Sequence, residues 1–495
     1  MRYPELYPAQ QCQAIDRYLI EHLGIDGYSL MDHAGAAAYA VARARWPEAH
    51  HLDIYCGGGN NGGDGWVIAR LARRDGLRVR VISLSEPQAL SGDAARAAQD
   101  YLQAGGDWLI HDQASAPHNA DLIIDALLGT GLKGPPRADC ARLIEAINHS
   151  GIPVLAVDIP SGLNADSGEA YQPCIRAAAC VTFIARKAGL YTGAGPAHCG
   201  ELVYRPLVEP LPQDHGQQAC GQLVTSNSLR SWLPQRRPDA HKGQSGHVLI
   251  AGGNRGMGGA ALLAGNAALR SGAGLVSVLT HDSHAGQILI QRPELMSHGW
   301  NLDQPWPADW LQRADIQVLG PGLGQDEWGA MMFQRLIDQP LPTVVDADGL
   351  NLLARQPRQR DHWLLTPHPG EAARLLNTTT AAIQADRIGA AREIAARYHA
   401  LVVLKGAGSL IANPDGNIML CPVAVPAMAT AGLGDVLSGV LGALFAQAKA
   451  AGIDLWQATG LAVCAHAEAG RRAAGSRQRG LIASDVIDQL ADVLS

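Results

Sequence analysis

Residues 428–439, MATAGLGDVLSG, set a glycine turn in front of an apolar helix whose first charged residue is Asp435. Backbone N–H groups at a helix start are unpaired donors at the positive end of the macrodipole, so Ala431-Gly432-Leu433-Gly434 can hold the charge of a transferring phosphoryl group. A carboxylate beside that turn can take the proton of an attacking hydroxyl. The combination describes a small-molecule kinase site. An ordinary helix entry, with Asp435 only complementing the dipole, fits the same residues.

Three further segments carry polar groups at the ends of apolar runs. GGGNNGGDG (57–65) is the densest glycine loop of the chain. Its glycines are expected to let backbone approach a ligand and to supply positive φ, while Asn60 and Asn61 offer amides and Asp64 a carboxylate. The loop departs from GxGxxG, which weighs against an ordinary dinucleotide-binding dehydrogenase. DALLGTGLKG (125–134) closes a strand with Asp125 and then presents glycines and Lys133, a set suited to an anionic ligand. DIPSGLNADSG (158–168) puts Asp158 at a strand end with Ser161 just beyond, although strand-end acids also serve as turn formers.

In the second half, VVDADGLN offers Asp346 and Asp348 as paired carboxylates, for a metal or for capping a helix. His368 in TPHPGE is a candidate ligand contact and equally a loop histidine ordered by its flanking prolines. The five lysines are Lys133, Lys187, Lys242, Lys405 and Lys449. Lys133, Lys242 and Lys405 adjoin glycine, where a compact ammonium is useful.

These segments need elements to position them. LDIYCGGGNNGGDGWVIARLARRDGLRVRVISL reads as strand, glycine loop, helix, strand, and GHVLIAGGNRGMGGAALLAGNAALRSGAGLVSVLT repeats the pattern after a Pro- and Gln-rich break around 209–245. Strands alternating with helices predict a parallel sheet covered on both faces, with ligands beyond the carboxyl ends of the strands. An amphipathic opening spans about residues 8–45. Val436 to Ala446 reads as a buried helix.

A chain of 495 residues exceeds what one core usually supports, so two α/β domains are expected, 1–213 and 214–495. With 47% hydrophobic and 17% charged residues, both can bury a core, and a net charge of −7 argues against a nucleic-acid partner. The nine cysteines contain no CxxC pair, which removes the usual zinc and redox signatures. No leader pattern or membrane-length apolar run is seen, so a cytoplasmic setting without a membrane partner is the expectation.

Across nearly its whole length the sequence resembles a known family. CGGGNNGGDG, DALLGTGLKG and DIPSGLNADSG are similar to the motifs of NAD(P)H-hydrate epimerase domains. GPGLG, VVDADGLNLL, LTPHPGEAARLL, LVVLKGAGSLI and ATAGLGDVLSG, with the glycine segment after GHVLIAGG, are similar to those of ADP/ATP-dependent NAD(P)H-hydrate dehydratases. Their order in one chain resembles the bifunctional NAD(P)H-hydrate repair enzymes. The resemblance implies a Rossmann-like N-terminal domain, a ribokinase-like C-terminal domain and a homo-oligomer. In the first domain it implies hydrate contacts from Asn60, Asn61, Gly62, Gly63, Asp64, Gly129, Thr130, Gly131, Leu132, Lys133, Gly134, Pro135 and Asp158, with K+ held by Asn61, Asp125 and Ser161. In the second it implies hydrate contacts from Ala260, Gly322, His368 and Asp435, and contacts to ADP or ATP from Lys405, Gly406, Ala407, Gly408, Ser409 and Gly434. Leu433 stands where the family varies.

The damaged cofactor has water added across its C5–C6 bond, giving a hydroxyl beside the ring nitrogen. That stereocentre is chemically soft, so epimerisation needs a pocket and a proton shuttle, for which Asp158 is the candidate. Hydroxide leaves poorly, so the second domain is expected to phosphorylate the hydroxyl, with Asp435 as base and Mg2+ bridging the nucleotide phosphates, before phosphate departs. A vitamin or sugar kinase fused to a cofactor-binding domain, or a nucleotide-binding sensor, shares the GxGD turn. Only repair predicts free phosphate together with recovered reduced cofactor.

Overall fold

The computed structural model describes residues 3–112, 117, 119–209, 215–224, 236, 238–308 and 312–495. It separates into two compact units, one of Glu5–Gly221 and one built chiefly of Gln222–Ser495. The expected boundary between 213 and 214 lies outside the described residues. No described helix is long and apolar enough to cross a membrane.

The first unit is built on seven parallel strands: β1 (His51–Cys56), β2 (Arg78–Ser83), β3 (Trp108–Ile110), β4 (Leu122–Ala126), β5 (Val154–Val157), β6 (Ala179–Phe183) and β7 (Glu201–Arg205). Their order is β3-β2-β1-β4-β5-β6-β7. The order turns between β1 and β4, where the register Cys56↔Ala126 brings two strand ends level. Such a switch point opens a crevice at the carboxyl edge. Its longer helices are α1 (Ala9–Glu21), α2 (Gly27–Arg45), α3 (Asn60–Arg74), α4 (Gly92–Gln103) and α5 (Ala138–His149). One sheet face packs Ile54, Val81 and Ile124 with α2, α3 and α4, while Tyr55, Ile82 and Ile123 pack with Ile144 and Ile147 of α5 on the other. Central strands buried on both faces require continuous apolar runs, which LIIDA supplies.

The glycine loop differs from expectation. Helix α3 already starts at Asn60, with Gly59 as N-cap, so half of the segment is helical. None of its glycines has positive φ. They are needed for close approach: a Cβ on Gly62 would lie 2.0 Å from the Gly57 carbonyl oxygen, one on Gly63 would meet Met31 at 2.6 Å, and one on Gly65 would meet Cys56 at 2.7 Å. The helix therefore sits directly on the end of β1.

The second unit has β8 (His247–Ala251), β9 (Leu275–His281), β10 (Met296–Trp300), β11 (Ile316–Leu319), β12 (Thr343–Val345), β13 (Trp363–Leu365), β14 (Leu401–Leu404), β15 (Ser409–Ala412) and β16 (Ile418–Cys421), ordered β10-β9-β8-β11-β12-β13-β14-β15-β16. Pairing is parallel as far as β14 and antiparallel through β15 and β16, because the LKGAG turn sends the chain straight back. Its helices include α6 (Gly258–Arg270), α7 (Asp282–Gln291), α8 (Glu327–Leu336), α9 (Asp348–Arg355), α10 (Pro369–Leu376), α11 (Arg387–Tyr398), α12 (Leu433–Ala451), α13 (Leu455–Ala474) and α14 (Ala483–Leu494). Helix α12 is the core helix anticipated from its apolar run, with Val436, Val440, Leu441 and Leu444 wholly buried. It crosses α6 closely: a Cβ on Gly439 would stand 2.1 Å from the Ala264 carbonyl oxygen. That crossing fixes where the start of α12 points.

Candidate functional site

In the first unit the loops after β1, β4 and β5 enclose a cavity of about 940 Å³. Asn60, Asn61, Asp64, residues 129–135 and Asp158 all line it. Gly62 and Gly63 lie beneath its wall, against Gly57 and Met31.

Asn61, Asp125 and Ser161 form one connected group. Ser161 donates its hydroxyl to Asp125 Oδ1 at 2.6 Å and its backbone N–H to Oδ2 at 2.8 Å. The Ser161 hydroxyl oxygen accepts the Leu128 N–H at 2.9 Å, and Asn61 Nδ2 donates to the Leu128 carbonyl at 2.9 Å. Asn61 Oδ1 is buried without a partner. Burial pushes Asp125 up to about 6, against the pull of the two Ser161 hydrogen bonds. The group is thus oxygen-rich, with Asn61 on the cavity wall and Asp125 and Ser161 buried behind it, and its carboxylate is destabilised as an anion.

Asp158 follows β5 in the left-handed region, at φ 63, an unusual conformation for a residue with a side chain. Its N–H donates to the Val181 carbonyl at 2.7 Å, holding the turn. Its Oδ1 accepts from Lys187 Nζ, from Thr182 Oγ1 at 3.2 Å and from the Phe183 N–H at 3.3 Å. Lys187 also donates to Thr182 Oγ1 and the Phe183 carbonyl, both at 3.0 Å. Burial alone would lower this ammonium, but the charge and hydrogen bond of Asp158, together with Cys12 and Asp16, hold it above its ordinary value. Asp64 is held well above the usual carboxylate range by burial and by Asp158 and Asp16. Asp16, on α1, is raised to about 6 by burial, with Lys187 opposing. The sequence assigns no role to Lys187 or Asp16, since neither adjoins a glycine motif.

The second site gathers around the start of α12. Gly432 caps it at φ 87, and Asp435 is the acidic residue of its first turn. Burial and the nearby Asp346 raise Asp435 to about 7, with Lys405 opposing. Asp346 is buried at the end of β12 and accepts from Lys405 Nζ at 2.7 Å, Thr366 Oγ1 at 2.8 Å and Ser438 Oγ at 2.8 Å. Burial would raise Asp346, but the Lys405 charge and these three bonds hold it below the ordinary value. A Cβ on Gly434 would lie 3.4 Å from Lys405 Nζ, so the turn and the lysine are adjacent.

The two carboxylates of VVDADGLN diverge. Asp348 enters α9 and ties down the GPGLG loop, accepting the Gly324 N–H at 3.0 Å and Gln325 Nε2 at 2.8 Å. His368 caps α10, its Nδ1 accepting the Gly370 N–H at 3.0 Å, while Glu371 returns to the His368 N–H at 2.8 Å. Glu371 lies 3.9 Å from Lys405 Nζ and is raised to about 7 by burial. Lys405 therefore faces three acids, Asp346, Glu371 and Asp435.

Ala260 and Gly322 meet, since a Cβ on Gly322 would be 3.0 Å from that of Ala260. In the hairpin turn after Lys405, Gly406 (φ 143) and Gly408 (φ 63) have backbone that favours glycine, and Ser409 Oγ donates to the Gly406 carbonyl at 3.1 Å. Buried Arg387 supports the turn from below, donating to the Leu404 and Lys405 carbonyls at 3.4 and 3.3 Å. His466 of α13 is lowered to about 4 by burial and then by Lys405, while a bond to the Leu433 backbone works against that shift. Neither Arg387 nor His466 stands in a motif that would have drawn notice.

Residues 27–189 match the family model described as YjeF-related protein N-terminus, and residues 248–492 the model described as NAD(P)H-hydrate dehydratase. The bifunctional NAD(P)H-hydrate repair enzyme Nnr of Coxiella burnetii is 42% identical, with 98% of each chain covered. That of Escherichia coli is 41% identical over 97% of this chain and 92% of its own. A ribokinase-like superfamily protein of Enterococcus faecalis shares the fold over 56% of this chain and 95% of its own, at 23% identity and a TM-score of 0.50. Both family models in one chain, with identity at this level along nearly all of its length, show that it belongs to the bifunctional NAD(P)H-hydrate repair enzymes, which join an epimerase domain to an ADP/ATP-dependent dehydratase domain.

Proposed function

We propose that the first unit exchanges the R and S hydrates of NADH and NADPH through Asp158, and that the second returns the S hydrate to reduced cofactor through Asp435. The observation that carries this reading is Asp435 itself, raised to about 7 at the start of a buried helix and beside an ammonium. A carboxylate so tuned is basic enough to take a hydroxyl proton and still ionised in good part near neutrality.

In the dehydratase the C6 hydroxyl of the hydrate attacks the terminal phosphoryl of ADP or ATP. Its oxygen bonds to phosphorus, the bond to the leaving nucleotide breaks, and Asp435 takes the proton. The α12 N–H groups and Lys405 meet the phosphoryl charge. Phosphate then departs with the C6–O electron pair, pushed out by the ring nitrogen, and loss of a C5 proton restores the dihydropyridine. Gly434 and the 405–409 turn face the nucleotide in this reading, and Ala260, Gly322 and His368 the hydrate. Magnesium bound with the nucleotide would offset phosphate charge. Among the described residues no group of three or more His, Cys, Asp or Glu is arranged for a metal, so its ligands would come chiefly from the nucleotide and water.

In the epimerase, Asn60, Asn61, Asp64 and residues 129–135 hold the hydrate, with Lys133 towards its phosphates, and Asp158 moves the proton as the C6 stereocentre inverts. The Asn61, Asp125 and Ser161 group fits a weakly charged cation: Asn61 Oδ1 is an orphaned buried oxygen, and Asp125 is a buried carboxylate that a cation would favour in its ionised form. Oxygen ligands with one formal charge suit K+ better than a small divalent ion that dehydrates reluctantly. Bound there, K+ would supply charge that orients the cofactor.

The test is to mix the purified chain with hydrated NADH and either nucleotide, following reduced-nicotinamide absorbance and phosphate together. Recovered absorbance with stoichiometric phosphate supports the reading. A stable phosphorylated product, or binding without turnover, opposes it.

A further inference from the structure

We propose that Lys187 is a positioning residue for epimerisation, its ammonium clamping Oδ1 of Asp158 so that the carboxylate stays charged and offers Oδ2 to the hydrate. The inference rests on the reading of Asp158 as the proton-transfer group. Among the described residues every hydrogen bond accepted by the Asp158 carboxylate goes to Oδ1, from Lys187, Thr182 and Phe183. Lys187 in turn places its three donors on Asp158, Thr182 and the Phe183 carbonyl, so the ammonium is saturated and fixed. Both residues border the cavity. Lys187 is only 3% exposed, and a buried ammonium is retained where a specific charge partner compensates its desolvation.

The surroundings give the lysine a defined task. Asp16 and Cys12 on α1, Asp64 on α3, Cys180 on β6 and Lys187 itself all face Asp158. Both thiols are raised by burial and are neutral near neutral pH. Asp16 and Asp64 add only negative charge when ionised. Lys187 is the cation among these groups, and its direct carboxylate contact is with Asp158. The left-handed backbone at Asp158 and the Lys187 clamp together fix the direction of the carboxylate, as proton transfer at a stereocentre requires.

The test uses the full chain without nucleotide, following the interconversion of purified R and S hydrates by chromatography from acidic to mildly alkaline pH. Wild type, K187M, K187Q, K187R and D158N are compared, with the uncatalysed rate subtracted and melting monitored in parallel. Removing the cation should lower kcat on the order of 10–100-fold at neutral pH, the loss expected when a general base is mostly protonated, and move the acid limb of kcat/KM up by about 1–3 pH units. K187R should keep the limb at the wild-type position. KM should change little, because Lys187 acts through Asp158. K187Q keeps a donor at similar length and carries the test should K187M fail to fold. A folded charge-removing variant with the wild-type limb and rate, or a K187R limb displaced as far as that of K187Q, would overturn the proposal. Wild-type epimerisation by D158N would instead overturn the reading of Asp158, so the two failures are separable.

Discussion

Asp346 accepts the Lys405 ammonium at 2.7 Å and at the same time raises Asp435, so the ammonium and the proposed base of the dehydratase are coupled through one buried carboxylate. Burial is the larger cause of the Asp435 shift and Asp346 the next, with Lys405 opposing both. A base must be ionised to act. For a carboxyl raised to about 7, dehydration should therefore fall as pH drops through neutrality and reach a plateau above it.

Removing either partner moves that limb in a stated direction. Asp346→Asn deletes the repulsion and leaves Lys405 facing Asp435, so the acid limb of dehydration kcat/KM should shift to lower pH by about one unit or more. Lys405→Met should shift it upward. Profiles of residual activity check both, and shifts of the same sign would break the proposed coupling.

The Asn61, Asp125 and Ser161 group makes a separate prediction. Asp125→Ala should impair epimerisation and spare dehydration. Potassium should raise the melting temperature of the wild-type chain more than sodium does at equal ionic strength, and Asp125→Ala should abolish the difference. Epimerisation that is unchanged in the variant and indifferent to potassium sinks the assignment.

Gly62→Ala tests why the glycine segment is what it is. A methyl group at 2.0 Å from the Gly57 carbonyl oxygen must push α3 off the end of β1. The expected cost is about 1–3 kcal/mol, the usual range for overpacking a close contact, seen as a lowered melting temperature with a raised epimerisation KM. An unaltered melting curve would contradict the close-approach account.

The α/β architecture was legible because strands such as β1, β4 and β5 are largely apolar runs that lead into or contain Gly or Asp, and the glycine turns before α3 and α12 start helices. Loops far apart in sequence, those of Asn61, Asp125 and Ser161, met because all lie at carboxyl ends of neighbouring parallel strands. The positive φ expected of residues 57–65 was misplaced, since contact with Met31 and Cys56 cannot be read from the segment itself. Asp346 and Asp348 could not be told apart by type and spacing; burial beside Lys405 separates them. Lys187, Asp16 and His466 drew no role from the sequence for a related reason. Their roles come from burial beside a distant charge, and no local motif encodes that.

The central claim is that the two carboxylates divide the chemistry, Asp158 for epimerisation and Asp435 for phosphoryl transfer. The direct measurement follows both hydrate epimers by chromatography after nucleotide is added to a mixture of the two. Asp435→Asn should still interconvert them yet lose dehydration by on the order of 10²–10⁴, the scale of general-base catalysis. Asp158→Asn should consume the S hydrate rapidly and leave the R hydrate to decline at its uncatalysed rate of inversion, a biphasic course. A single fast phase with Asp158→Asn, or full repair by Asp435→Asn, would contradict the account.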